Sequence, residues 1–279
     1  MDILVFGVML VSAALHATWN AWVKSRTDST GAVSALVIGA GIPNIAVLAL
    51  LGVPGLQAWG WIAVTVALSI ASLHLIAAAY GEGDFAVAYP LIRGLIPVVM
   101  TLAAIPLFGE RPSLAQGLGV LCVSGGLGVV AWESSMRSRT MTLKGVGLAV
   151  ITAGFTALAA LTDAMGARLS ESAFSYAATI SVLNGVFMAI FQRARGHRVG
   201  AMLGRHWPIL TFGACLSVVS YTLYIWALTR APVGLVAALR ETSMVFAILI
   251  AAWALRERIG LWRWGAVAVM FAGMMLIRL

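Results

Sequence analysis

The sequence predicts an all-α integral membrane protein with ten transmembrane helices, arranged as two inverted repeats of five. Composition is the first reason. Hydrophobic residues make up 61% of the chain and charged residues 10%, and the mean hydropathy is +0.99, whereas an ordinary soluble domain has about 25% charged residues. So few charges cannot cover a surface that faces water. The composition therefore excludes soluble enzymes, disordered proteins and coiled coils, and it indicates that lipid surrounds most side chains.

The second reason is that the chain divides into apolar runs of about 20 residues, the length that crosses a hydrocarbon core of about 30 Å. The ten runs cover residues 3–23, 32–52, 59–79, 85–107, 114–132, 143–163, 173–192, 207–228, 233–255 and 261–277. They are continuously apolar, which argues against the alternating strands of a membrane barrel. No basic segment or cleavage site precedes the first run, so we expect a retained helix and not a signal peptide.

The third reason is an internal repeat. Three charged residues of the first half have identical counterparts 147 positions later in the chain. The pairs are Arg93 and Arg240, Glu110 and Glu257, and Arg111 and Arg258. Residues 1–138 and 143–279 thus form two repeats, each with five helices. Because five is odd, the second repeat must cross the membrane in the opposite direction, and such inverted repeats are typical of secondary transporters.

Loop charges predict the orientation and the partners. The chain carries a net charge of +8, and its basic residues lie mainly in the short gaps between apolar runs. When Arg93 and Arg240 are omitted, twelve basic residues lie in or next to the gaps after odd-numbered helices, and the opposite side holds four. The positive-inside rule then places both termini outside. We expect the lipid bilayer and a small-molecule substrate as partners, and no nucleic acid, since the basic residues belong to membrane loops.

Each ionisable residue deep inside a predicted span costs about 2.5 to 3.5 kcal/mol on insertion scales, and Arg93 and Arg240 are the clearest cases. Arg93 and Arg240 each precede the Glu at the end of their helix by 17 residues, which is about 25 Å along a helix. Glu241 is the carboxylate that lies deepest within a predicted span. Two interpretations stay open: the three side chains line a cavity, or they form an ion-pair lock between the halves.

Other polar side chains form stripes at helical spacing, which face protein or water and not lipid. The stripes are Ser12, His16, Trp19 and Asn20 on the first helix, and Ser217, Ser220, Tyr221 and Tyr224 on the eighth. Helix-to-helix hydrogen bonding is the alternative role for the hydroxyl groups. Tyr80 and Tyr89 flank the start of the fourth helix, where aromatic anchoring at the interface is the alternative. Asp163, at the end of the sixth run, could face either the cavity or the surface.

Three segments resemble the EamA-type family of the drug/metabolite transporter superfamily. They are LHATWNAWVK, AVAYPLIRGLIPVVMTLAAIPLFGERPSLAQGLGVLCVSGGLGV and GLVAALRETSMVFAILIAAWALRERIGLWRWGAVAVMFAGMMLI. The resemblance implies a central cavity between the halves, alternating access, and transport of small metabolites, often the export of amino acids. It implies that helices one, three, four, six, eight and nine line that cavity. The residues carried over are His16, Trp19, Asn20, Tyr80, Tyr89, Arg93, Tyr221, Tyr224, Arg240 and Glu241.

These observations together predict a secondary active transporter of the bacterial inner membrane that exports an amino acid or a related small organic acid. Arg93 or Arg240 would hold the carboxylate of the substrate, and Glu241 or His16 would couple a proton. No cofactor or metal is expected, and a monomer is plausible. A passive channel or a lipid-translocating protein is the alternative. A membrane enzyme is disfavoured because the sequence contains no GxxxxGK[ST], HExxH or GxSxG motif.

Overall fold

The structure, a computed structural model, describes residues 1–24, 26, 28–82, 85–137, 142–253 and 259–279. It is 88% helical, and the described residues contain no strand. The helices are α1 Ile3–Lys24, α2 Ser29–Leu51, α3 Leu56–Gly81, α4 Phe85–Phe108, α5 Leu114–Arg137, α6 Leu143–Leu169, α7 Ala173–Ala194, α8 Val199–Arg205, α9 Ala214–Leu228, α10 Val233–Glu241, α11 Ser243–Trp253 and α12 Leu261–Arg278. A π-helical segment, Ile209–Gly213, precedes α9. The prediction of an all-α fold is confirmed.

Nine helical segments of the described chain are long and apolar enough to cross a membrane, and α3 adds the shorter apolar stretch Leu56–Ser72. The predicted run 233–255 is one of these nine, but it contains two helices, α10 and α11, which are separated at Thr242. The predicted run 143–163 is too short, because α6 continues to Leu169. A multi-pass membrane protein is therefore supported by helix length and composition.

Polar caps begin several helices at the ends of the spans. The Asp28 side chain accepts a hydrogen bond of 2.9 Å from the N–H of Gly31 at the start of α2. That bond and the nearby His206 ring lower the pKa of Asp28. Thr142 caps α6 in the same way, with 3.0 Å between its Oγ1 and the N–H of Gly145. Such caps satisfy N–H groups that the first helical turn leaves without partners.

Helices from the two halves of the chain pack directly against each other. The main pairs are α3 with α6, α5 with α12, α2 with α7, α4 with α6, α1 with α9, and α4 with α10. Small residues allow the closest approaches, as is common between membrane helices. A β-carbon added at Gly234 of α10 would lie 2.6 Å from the Cα of Thr101 on α4. This contact brings α10, which carries Arg240 and Glu241, against the middle of α4.

Candidate functional site

A cavity of about 220 Å³ lies between the two halves of the protein. Helices α1, α2 and α3 line it from the first half, and α6, α7, α9 and α10 line it from the second. The polar side chains at its wall include His16, Asp163, Asn184, Ser217, Tyr221 and Arg240. The volume is smaller than the roughly 300 to 1,000 Å³ of sites for drug-sized ligands. The cavity therefore suits a small metabolite.

Arg93 is anchored by three different helices. Its Nε forms an ion pair with Glu241, its Nη2 donates to the Ser243 Oγ over 3.0 Å, and its Nη1 lies 3.3 Å from His16 Nε2. Glu241 is only 3% exposed. Residues two apart do not share a face of a regular helix. The interruption at Thr242 separates Glu241 from Ser243, and both side chains reach the same guanidinium.

Arg240 has a different environment from Arg93, the arginine that lies 147 positions before it in the chain. Its Cζ lies 4.2 Å from the centroid of the Tyr224 ring, a distance that suits a cation–π contact. Its Nη2 lies 3.4 Å from His16 Nδ1, whereas its Nη1 is buried without a hydrogen-bond partner in the described structure. No carboxylate of the described residues forms an ion pair with it. Arg240 is thus a cation at the cavity wall, and its Nη1 is a hydrogen-bond donor without an acceptor in the described structure.

His16 lies between the two guanidinium groups, and its ring makes an edge contact with Trp19 at a centroid distance of 4.9 Å. Guanidinium groups only donate hydrogen bonds, and a neutral imidazole accepts at only one of its two nitrogens. A neutral His16 can therefore accept from Arg93 or from Arg240, and its own N–H points at the other. At the other contact an N–H of the imidazole faces an N–H of the guanidinium, so these two donors do not form a hydrogen bond with each other.

A second polar group surrounds Asp163 on α6. Tyr176 donates to Asp163 Oδ1 over 3.2 Å, and Tyr221 donates to Oδ2 over 3.0 Å. Asp163 is 7% exposed and lines the cavity. A further hydrogen bond of 2.7 Å joins Thr65 of α3 to Thr162 of α6. The carboxylate is therefore held by hydroxyl groups from two other helices of the second half. Within the described residues, no group of three His, Cys, Asp or Glu side chains could hold a metal ion.

Residues 143–279 match the model of the EamA-like transporter family. This part of the chain, just under half of its length, is therefore similar to the EamA-like transporter family. The family is part of the drug/metabolite transporter superfamily, so the resemblance found in the sequence is confirmed. Its members are transporters and not enzymes, which supports a membrane transporter of small molecules.

A solved structure described only as "Crystal structure of protein" has the same fold. It aligns with a TM-score of 0.76 and 17% sequence identity, over 98% of this chain and 94% of the other. At this identity the likeness concerns the fold alone. No curated protein matches the chain.

The structure of this EamA-like protein brings some of the predicted site residues together and separates others. His16, Tyr221 and Arg240 line the cavity. Arg93 and Glu241 lie beside it and pair with each other, which is the contact that a lock between the halves requires. Among the described lining residues, α2 and α7 also contribute, whereas none comes from α4.

The remaining predicted residues have mixed environments. Asn20 donates to the carbonyl of His16 in its own helix over 2.8 Å, and the Tyr89 ring centroid lies 5.5 Å from Arg93 Cζ. Trp19 packs on a small apolar cluster, and its Nε1 is buried with no hydrogen-bond partner in the described structure. Tyr224 is buried against Arg240. The side chain of Tyr80 lies outside the described part of the structure, as do Glu257 and Arg258.

Sequence reasoning left Asp163 open because its predicted span ended there. A charge lowers local hydropathy, so a hydropathy window ends at the very residue that marks a polar site. A usable signal was present in the spacing of Thr152, Thr156 and Asp163, which places all three near one face of α6. The sequence around Asp163 does not show that its hydroxyl partners come from α7 and α9.

Gly166 sets the position of Tyr176, and we expect Gly166→Ala to disturb the Asp163 site. A β-carbon there would lie 2.5 Å from Tyr176 Cε2 and 2.7 Å from its hydroxyl oxygen. Tyr176 is fully buried and has little room to move, so overpacking should cost about 1 to 3 kcal/mol. The thermal unfolding temperature of the detergent-purified protein should fall. Gly154→Ala on the same helix is the control, because no atom lies within 4 Å of its added β-carbon. Equal unfolding temperatures for the two variants would contradict this packing.

Proposed function

We propose that this protein is a secondary active transporter that exports a small carboxylate-bearing metabolite, such as an amino acid, by alternating access. The observation that carries the proposal is Arg240. It lines a cavity formed by both halves, stacks on Tyr224, and has a buried Nη1 without a partner in the described structure. A carboxylate is the natural partner of such a group, because an arginine fork can bind both carboxylate oxygens.

Binding of a carboxylate at Arg240 would also resolve the conflict at His16. With Arg240 engaged by the substrate, a neutral His16 can accept from Arg93 without facing a competing donor. In the bound state, more of the guanidinium N–H donors around His16 then have acceptors than in the empty state. The ring of Tyr224 holds the guanidinium plane in place, which reduces the entropy lost when the substrate binds.

The architecture that we propose has ten spans, with α3 as the tenth. This helix has 26 residues, or about 39 Å at the helical rise, which exceeds the hydrocarbon thickness. The Met1 amino group donates to the carbonyl of Arg278 over 3.0 Å, so the first and last helices have these ends on one side. Ends on one side require an even number of crossings, which supports ten.

Contacts between α5 and α12 support the inverted repeat of residues 1–138 and 143–279. A β-carbon added at Gly119 would lie 2.7 Å from the carbonyl oxygen of Gly273. At an offset of 147 positions, the counterpart of Gly119 is Ala266 and the counterpart of Gly273 is Gly126. These two counterparts also touch, since a β-carbon at Gly126 would lie 3.0 Å from the Ala266 carbonyl oxygen. A contact that reproduces itself under exchange of the halves is what a two-fold axis in the membrane plane produces.

Alternating access requires contacts that close one side, and a hydrogen-bonded cluster at the end of α4 has the right position. Glu110 accepts from Arg168 Nη2 over 3.1 Å, and its Oε2 accepts from the N–H of Val233, the first residue of α10, over 2.9 Å. Arg168 Nε also donates to the Leu228 carbonyl over 2.9 Å. The cluster ties the ends of α4, α6 and α9 to the start of α10, at the face predicted to be outside.

Transport in proteoliposomes tests the proposal and separates it from a passive channel. We expect uptake of labelled amino acids that saturates with concentration and is accelerated by the same unlabelled amino acid on the opposite side. Flux that rises linearly and shows no acceleration would indicate a channel. Absence of flux for amino acids and small organic acids alike would overturn the proposed substrate class.

Glu241 and His16 are the residues that we propose for proton coupling. Glu241 can take up a proton only when Arg93 releases it, so protonation and movement of α4 against α10 would be linked. We expect Glu241→Gln to remove the pH dependence of net flux but to retain exchange of substrate across the membrane. Net flux and exchange should be measured in proteoliposomes between pH 5 and pH 8. A variant with the pH profile of the natural protein would remove Glu241 from the coupling path.

Labelling at position 200 tests the proposed orientation, in which both termini face outside the bacterial inner membrane. Gly200 is exposed on α8, between α7 and α9, with open space around it. In a background lacking Cys122 and Cys215, we expect Gly200→Cys to resist an impermeant thiol reagent applied to intact cells. Glu171→Cys, also exposed but on the opposite side, should react. Exchanged labelling of the two positions would reverse the orientation.

A further inference from the structure

We propose that Asp163, held by Tyr176 and Tyr221, is a binding subsite for an ammonium group, so that the transported molecule is a zwitterion with its carboxylate at Arg240. This inference rests on the proposed transport function and assigns the second end of the substrate. Sequence reasoning left Asp163 without a role, and the proposed carboxylate site does not use it.

The geometry around Asp163 leaves it able to accept further hydrogen bonds. An ionised carboxylate offers about four acceptor positions, and the two tyrosine hydroxyls use one on each oxygen. No basic side chain of the described residues forms an ion pair with Asp163. The remaining acceptor positions belong to a residue that lines the cavity. A buried carboxylate with free acceptor positions and no ion-pair partner among the described residues is suited to a cationic donor.

The hydroxyl groups also fix where the carboxylate lies. Tyr176 is fully buried and rests on Gly166, one turn along α6 from Asp163. Tyr221 comes from α9 and lines the cavity itself. The carboxylate is therefore positioned before any ligand arrives, which is the property expected of a specificity-determining group.

Charge balance in the cavity narrows the ligand class. The charged side chains at the described wall are one arginine and one aspartate. A ligand with only a carboxylate would leave Asp163 unpaired, and a ligand with only an amine would lie beside the Arg240 cation. A zwitterion pairs its ammonium group with Asp163 and its carboxylate with Arg240. The cavity volume of about 220 Å³ corresponds to about seven water molecules at roughly 30 Å³ each, which is the size range of an amino acid.

Competition in proteoliposomes tests the subsite. For the best-transported labelled amino acid, two unlabelled competitors are compared with the free amino acid: the N-acetyl derivative, which has no ammonium group, and the methyl ester, which has no carboxylate. We expect each to compete about 100-fold more weakly with the natural protein, the loss typical of one charged hydrogen-bonded contact. Asp163→Asn should reduce the discrimination against the N-acetyl derivative to less than about 10-fold and leave discrimination against the ester.

The controls keep each failure distinguishable. Arg240→Gln should give the reverse pattern, with discrimination against the ester lost. Glu171→Gln removes an exposed carboxylate just beyond the end of the same helix and should leave both ratios unchanged. The ratio of two competitors does not depend on how much protein folds. Retained discrimination against the N-acetyl derivative in Asp163→Asn would overturn the subsite alone. Absence of amino acid uptake by the natural protein would overturn the proposed function and the subsite with it.

Discussion

Replacing Glu241 with Ala is expected to destabilise the folded protein by about 3 to 5 kcal/mol, because it removes the buried carboxylate that pairs with the Arg93 guanidinium. Of the contacts described above, Arg93 would keep those with Ser243, the shared His16 ring and the Tyr89 ring. None of these three side chains carries a negative charge. The loss should be visible as a lower thermal unfolding temperature and a smaller monodisperse fraction after detergent extraction. An unfolding temperature unchanged from the natural protein would mean that the ion pair does not hold α4 to α10.

A double variant separates the two interpretations that the sequence left open for this pair. Replacing a buried ion pair with apolar residues of similar size is often neutral or stabilising, so Arg93→Met combined with Glu241→Leu should recover most of the lost stability. A stable double variant that transports at the natural rate would make the pair a structural lock. A stable double variant without transport would assign the pair to the transport cycle.

Which of the two arginines pairs with a carboxylate could be predicted only in part. The offset of 147 places Gly94 opposite Glu241, so the sequence shows that only the second repeat carries the carboxylate. It does not show which arginine that carboxylate neutralises. Glu241 follows Arg240 directly, yet it pairs with Arg93. Adjacent residues on a helix point about 100° apart, so the partner of Glu241 is decided by the helix that packs against that face.

Hydropathy predicted the helices well and their interruptions poorly. The apolar runs correspond to the observed helices because backbone groups in lipid must be satisfied within a helix. The separation of α10 from α11 at Thr242 was not predicted, because the polar residues beside it, Arg240, Glu241 and Ser243, are too few to lower the mean hydropathy of the whole apolar run. Averaging of hydropathy also ended the predicted sixth run at residue 163, although α6 continues to Leu169. For the same reason, Asp163 was left without a role. Hydropathy averaged over a long apolar run does not detect single polar residues, and these are the residues with functional roles.

Arg240→Ala is expected to reduce amino acid uptake by more than about 100-fold, through loss of the charged contact to the substrate carboxylate, without lowering the unfolding temperature. Arg240 has no ion-pair partner among the described residues, so its removal breaks no described ion pair. Arg93→Ala, its repeat counterpart, should instead lower the unfolding temperature, because Glu241 would lose its partner.

Initial uptake rates in proteoliposomes and thermal unfolding in detergent measure the two effects, and Arg198→Ala serves as a control that removes an exposed charge. Natural uptake by Arg240→Ala would remove this residue from the substrate site. A fall in unfolding temperature equal to that of Arg93→Ala would show that Arg240 is also a structural charge. Arg93 and Arg240, which are 147 positions apart, would then share one role, whereas the geometry around them supports two different roles.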